Sequence, residues 1–254
     1  MKKVRKKVLY KDMNPNTNLK PRILTSDEIK EGCIKISGGD NDQTQVCVVQ
    51  EEFRQGISMV EQYKKSVTFY GSTRMGETDP FYQKAKNLAS RISKELGYAI
   101  FSGGGPGIME AANRGAVEVD GKSVGLTIKL PEKQNTNPYV KEEIPFYFFF
   151  TRRVTMSYTA KACLFFPGGF GTLDEFFEMV TLRQTGKIAE VPLILVGTEF
   201  WNPINKLIKE LLVDKYHTLR DDEMQLYTIT DDENAIMEII KNSKVAGGKK
   251  SSLI

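Results

Sequence analysis

Apolar residues recur along this chain in two alternating rhythms, short continuous runs and longer stretches at helical spacing. Residues 46–63 carry Val48, Val49, Phe53, Ile57, Met59 and Val60 in a pattern that predicts an amphipathic helix leading into the core. Residues 66–70 read as a strand, 80–96 as a helix with Phe81, Ala85, Leu88, Ala89 and Ile92 on one face, and 98–101 as a second strand. The alternation continues with a helix at 106–117, a strand at 123–128 and a helix at 151–161. Further strands are expected at 162–166, 191–196 and 226–229, and helices at 172–185, 202–213 and 232–241. This interval between strands and helices specifies an α/β chain, doubly wound around a mainly parallel sheet with helices on both faces.

Between the periodic segments lie stretches with other signatures. Residues 1–44 are polar, lysine-rich and broken by Asn14-Pro15-Asn16, Lys20-Pro21 and Gly38-Gly39, which predicts irregular structure or a short appended element. Residues 129–143, with Pro131 and Pro138, form the longest irregular connection in the body of the chain, a length associated with lids and specificity walls. The aromatic run Phe146 to Phe150 reads as core packing or an edge strand.

Two glycine-rich turns join strands to helices. Pro167-Gly168-Gly169-Phe170-Gly171-Thr172-Leu173-Asp174-Glu175 offers backbone N–H groups, the positive end of a helix dipole and the Thr172 hydroxyl, an arrangement that collects anions. Glu175 follows about one turn later, beside whatever the loop holds. The plainer reading is a tight connection with a Thr172/Glu175 capping box. Ser102-Gly103-Gly104-Gly105-Pro106-Gly107 forms the second turn, and its glycines permit close approach of a ligand to the backbone. Neither spacing is that of a dinucleotide fingerprint or a P-loop. Both turns follow strands, so both can lie at one sheet edge, where ligands of such folds bind.

Four segments in order, Gly71-Ser72, Ser102 to Glu110, Phe149 to Met156 with Arg152-Arg153, and Pro167 to Glu175, resemble the Lonely Guy family. That family comprises cytokinin riboside 5′-monophosphate phosphoribohydrolases and related nucleotide nucleosidases, many once labelled lysine decarboxylases. The resemblance covers residues 51–241 and implies hydrolysis of the N-glycosidic bond of a purine or prenylated purine nucleoside 5′-monophosphate, giving free base and ribose 5-phosphate. It implies catalytic roles for Arg152 and Glu175, and substrate contacts from Gly71, Ser72, Gly103, Gly104, Gly105, Gly107, Glu110, Arg153, Gly168, Gly169, Gly171 and Thr172. Arg153 stands where the family carries Lys, a change of donor geometry at constant charge. The resemblance also implies a homodimer or higher homo-oligomer. A non-catalytic nucleotide or molybdenum-cofactor carrier is the rival reading, because such carriers share the fold and glycine loops; the pairing of Arg152 with Glu175 favours the enzyme.

The residue types fit that chemistry. A carboxylate beside the ribose can stabilise oxocarbenium character at the anomeric carbon or orient a water, and a guanidinium can hold a phosphate bidentately. A cation in the first helical turn, where Arg152 falls, is otherwise disfavoured. Glu110 and Asn113 share a helix face, facing base or ribose or pairing locally; Asp174 is expected to point away from the loop ligand. The single histidine, His217, lies outside every motif, and no lysine has a Schiff-base context, so no metal or other cofactor is expected.

The 254 residues fit a Rossmann-like domain at 46–243, an irregular extension at 1–45 and a flexible tail at 244–254. Three cysteines, Cys33, Cys47 and Cys163, lack metal spacing, and disulfides are not expected. The net charge of +4 is concentrated near the termini without a nucleic-acid-binding module. No membrane span or signal peptide is evident, and a cytoplasmic location is expected.

Overall fold

The computed structural model describes residues 23–63, 65–130, 135–158 and 160–244. Seven strands form one sheet: β1 (Ser66–Tyr70), β2 (Ala99–Ser102), β3 (Ser123–Ile128), β4 (Glu142–Phe146), β5 (Ala160–Phe165), β6 (Leu193–Leu195) and β7 (Thr228–Ile229). Every pairing is parallel and the order is β4-β3-β2-β1-β5-β6-β7. The order reverses between β1 and β5, which opens a crevice there at the carboxyl ends of the strands.

Eight α-helices accompany the sheet among the described residues: α1 (Ser26–Ser37), α2 (Asn41–Val60), α3 (Pro80–Leu96), α4 (Ile108–Val117), α5 (Phe149–Tyr158), α6 (Phe170–Gln184), α7 (Thr198–Ile208) and α8 (Glu233–Asn242). Alternation along the strands divides the core in two. Val67, Phe69, Ile100, Ala162 and Leu164 bury against Tyr82 and Leu88 of α3, Ile108 of α4 and Ile236 of α8. Their neighbours Phe101, Val124, Cys163 and Phe165 face the other way, against Val60, Met156, Phe176 and Trp201 of α2, α5, α6 and α7. Both sheet faces are therefore covered, which is why these strands read as continuous apolar runs.

Several expectations need correction. Residues 26–37, expected to be irregular or a short appended element, form α1, started by a Thr25/Glu28 capping box and ended at Gly38 with φ +67°. Gly38-Gly39 is the turn that folds α2 back along α1. That fold brings Cys33 and Cys47 within 5.6 Å Cα to Cα, and they form a disulfide, contrary to the cysteine count's suggestion. The aromatic run divides: Phe146 ends β4 fully buried, whereas Tyr147, Phe149 and Phe150 are substantially exposed and Phe149 begins α5. A π-helical turn, Lys209–Lys215, follows α7 where one continuous helix was expected. The tail from 245 and the extension before 23 lie outside the described residues.

Candidate active site

The crevice at the topological switch holds a cleft of about 900 Å³. Gly71, Ser72 and Arg74 line it from the end of β1, Gly103 from β2, Arg152 and Arg153 from α5, and Gly169, Gly171, Thr172, Asp174 and Glu175 from the start of α6. Four sequence motifs thus converge on one space. Gly104, Gly105, Gly107, Glu110 and Gly168 are not among its lining residues.

Each of those five has another task. A Cβ on Gly107, which has φ +72°, would collide with the Ser72 backbone, so this glycine lets the β1 and β2 loops touch. Gly104 also has positive φ, and Asn137 holds its loop by donating its N–H to the Gly104 carbonyl (2.8 Å) and its side-chain amide to the Gly105 carbonyl (2.9 Å). Glu110 accepts from the Tyr82 hydroxyl at 3.1 Å. Asn113 is fully buried, accepting from Ser102 Oγ and donating to Ser123 Oγ, so it braces the loop and local pairing is its role. Gly168 lies under Thr172, whose side chain a Cβ would strike.

Gly169 is the N-cap of α6 and no side chain caps that helix. The expected capping box is absent, and the first N–H groups of α6 have no intrahelical acceptor. Gly169 and Gly171 have open space where a side chain would stand. Arg74 adds a cation without an ion-pair partner among the described residues. This wall is suited to a dianion.

Arg152 and Glu175 form the cleft's buried polar pair, with Nη2 4.0 Å from Oε1. Arg152 is 6% exposed. Its Nε donates to the Leu126 carbonyl at 2.7 Å, and its guanidinium lies over Gly103, where any Cβ would collide with Nη2. Desolvation lowers the Arg152 pKa, opposed by Glu175. Burial raises the Glu175 pKa to about 7, with Arg152 and then Arg153 acting against the rise. A carboxyl poised near neutrality in a cleft is a hallmark of acid–base function.

Arg153 is differently occupied. It pairs with Glu178 and, at 2.8 Å, with Asp174. Its charge is neutralised at the rim, and Asp174, expected to point away from the loop ligand, is exposed there and lines the cleft. Sequence reasoning also passed over Asn137, Arg74 and Phe170, the last 93% exposed beside the cleft. Asn137 and Arg74 lie outside the motifs, and only tertiary contact reveals them. Among the described residues no group of three His, Cys, Asp or Glu side chains is placed to hold a metal ion, and no helix is long and apolar enough to cross a membrane.

The fold and cleft define a doubly wound α/β protein with a polar crevice at its topological switch. A family model described as "Possible lysine decarboxylase" matches residues 109–240, and the chain belongs to that family, the Lonely Guy family. A cytokinin riboside 5′-monophosphate phosphoribohydrolase of Rhodococcoides fascians is 24% identical over 61% of this chain and 79% of its own. A pyrimidine/purine nucleotide 5′-monophosphate nucleosidase of Escherichia coli is 28% identical over 66% of this chain but only 38% of its own. Among solved structures, the structural-genomics target TM1055 superposes with a TM-score of 0.52 at 24% identity, over 70% of this chain and 98% of its own. A molybdenum cofactor carrier protein of Chlamydomonas reinhardtii reaches a TM-score of 0.49 at 19% identity, over 70% and 94% of the two chains, and decides nothing about activity.

Proposed function

We propose that the protein hydrolyses the N-glycosidic bond of a purine nucleoside 5′-monophosphate. The observation that carries this reading is the buried Arg152–Glu175 pair, 4.0 Å apart, in the same cleft as the uncapped start of α6. The phosphate is held by the N–H groups at Gly169 to Thr172, with Arg74 nearby. That leaves the ribose beside Glu175. Ionised Glu175 stabilises positive charge at the anomeric carbon as the C1′–N9 bond breaks, and water supplies both the hydroxyl of ribose 5-phosphate and the proton taken up by the departing base. Arg152, anchored through Nε and Gly103, keeps its remaining guanidinium N–H groups for substrate and holds Glu175 towards its charged form. A carrier needs the anion wall but has no use for a buried carboxyl that titrates near neutrality. The relatives named phosphoribohydrolases and nucleosidases support the enzyme reading.

We further propose a homodimer with the cleft close to the contact. Phe149, Phe150, Phe170 and Phe177 are each more than two-fifths exposed, an apolar concentration suited to a partner surface. Activity is tested by incubating the protein with AMP, GMP, CMP, UMP and a prenylated adenosine monophosphate, then separating free bases by chromatography. Release of purine bases is expected; intact nucleotides throughout would overturn the reading.

A further inference from the structure

The mechanism above makes no use of Glu52, one of the most deeply buried carboxylates in the molecule. It sits on α2, 100 positions before Arg152 in sequence, and is 1% exposed. Its Oε1 accepts from the Tyr147 N–H; its Oε2 lies 3.4 Å from the Phe148 nitrogen and 2.6 Å from Thr151 Oγ1. These are the residues of the turn that opens α5. The next residue, Arg152, donates its own N–H to the Phe148 carbonyl at 3.3 Å.

We propose that Glu52 is a positioning residue for Arg152, acting as the N-terminal cap of α5 supplied from the α1–α2 hairpin. Arg152 and Arg153, the fourth and fifth residues of α5, lie near the positive end of its dipole, and a carboxylate on the Tyr147 and Phe148 N–H groups just ahead of the helix compensates for both. Capping also fixes where the helix begins, and the start of α5 decides how the Arg152 side chain reaches over Gly103 to the Leu126 carbonyl. The hairpin is built to hold this carboxylate in place. Gly56, one turn after Glu52, lets α2 pack against Phe146 and Thr155, where a Cβ would stand within 3.0 Å of both side chains. Gln55 ties α2 to the chain entering α1 through the Leu24 N–H (2.7 Å) and carbonyl (2.9 Å). Phe148 packs on the Cys33 and Val48 cluster.

This inference rests on the proposed role of Arg152, and its test separates the two. The variants are Glu52→Gln, which removes charge at constant shape, Glu52→Asp, which keeps charge on a shorter arm, and Gln55→Ala, which loosens the hairpin without touching α5. Two readouts are taken at a temperature where all are folded: exchange of the Arg152 Nε–H by nuclear magnetic resonance, and kcat and KM on the best monophosphate. Glu52→Gln is expected to speed Nε–H exchange at least tenfold and lower kcat about tenfold with KM changed less than threefold. Glu52→Asp should recover part of both, and Gln55→Ala, which only loosens the support of Glu52, should alter both less than Glu52→Gln does. Nε–H exchange in Glu52→Gln no faster than in Gln55→Ala would overturn the inference. Faster exchange in a protein that cleaves no monophosphate would leave positioning standing and remove the enzymatic reading instead.

Discussion

Glu175 concentrates the testable chemistry of the site. Its carboxyl titrates near 7 in the fold against about 4.3 in an unfolded chain, because burial outweighs the pull of Arg152. Catalysis by the ionised form therefore predicts kcat/KM rising with pH through about 7 to a plateau. Removing the neighbouring cation should shift this limb to higher pH, which a pH profile of Arg152→Met checks. Stability runs in the opposite sense. A raised carboxyl pKa favours the fold below the unfolded value, and that advantage is lost as pH rises through 7. Glu175→Gln should accordingly be more stable than the parent at pH 8, by up to about 3 kcal/mol and with a higher melting temperature, and show less difference at pH 5. Thermal melts at the two pH values decide this. Gly103→Ala is the steric counterpart: its methyl displaces the Arg152 guanidinium, so activity should fall at least tenfold, while Gly171→Ala, with open space, should keep its melting temperature and raise KM.

The disulfide offers a prediction at the scale of the element. Cys33 and Cys47 are 14 positions apart, and closing a loop of this size stabilises by about 3 kcal/mol in the chain-entropy view. Reduction should lower the melting temperature of the hairpin and expose two thiols, while buried Cys163 stays unreactive in the folded protein; thiol titration before and after reduction measures both. The elements that the sequence made legible are those whose residues face the sheet. Strands 66–70 and 123–128 and helix 80–96 emerged with the observed bounds because their burial imposes an apolar pattern. Helix α1 did not, because it buries only Ser26, Ile29 and Cys33 and is otherwise polar. Strand β4 escaped notice because Glu142, Glu143 and Pro145 interrupt it, as an edge strand permits. The glycine motifs located the cleft, but could not tell glycines that face a ligand from those that let loops touch, a distinction that depends on neighbours remote in sequence.

At the scale of the molecule, the exposed aromatics around the cleft predict association. Light scattering at micromolar concentration should report a dimer, and Phe170→Ser with Phe177→Ser should shift it towards monomer. The parallel sheet with its switch between β1 and β5 explains why distant motifs meet in one cleft, and the account stands on what that meeting does to a nucleotide. The most direct test compares the parent protein and Glu175→Gln on AMP and on adenosine, with adenine and ribose 5-phosphate both quantified. The account predicts equal amounts of the two products from AMP, far slower cleavage of adenosine, and a loss of two or more decades in kcat for Glu175→Gln, on the order of 3 kcal/mol of transition-state stabilisation. Near-parental turnover by Glu175→Gln, or equal cleavage of AMP and adenosine, would contradict it.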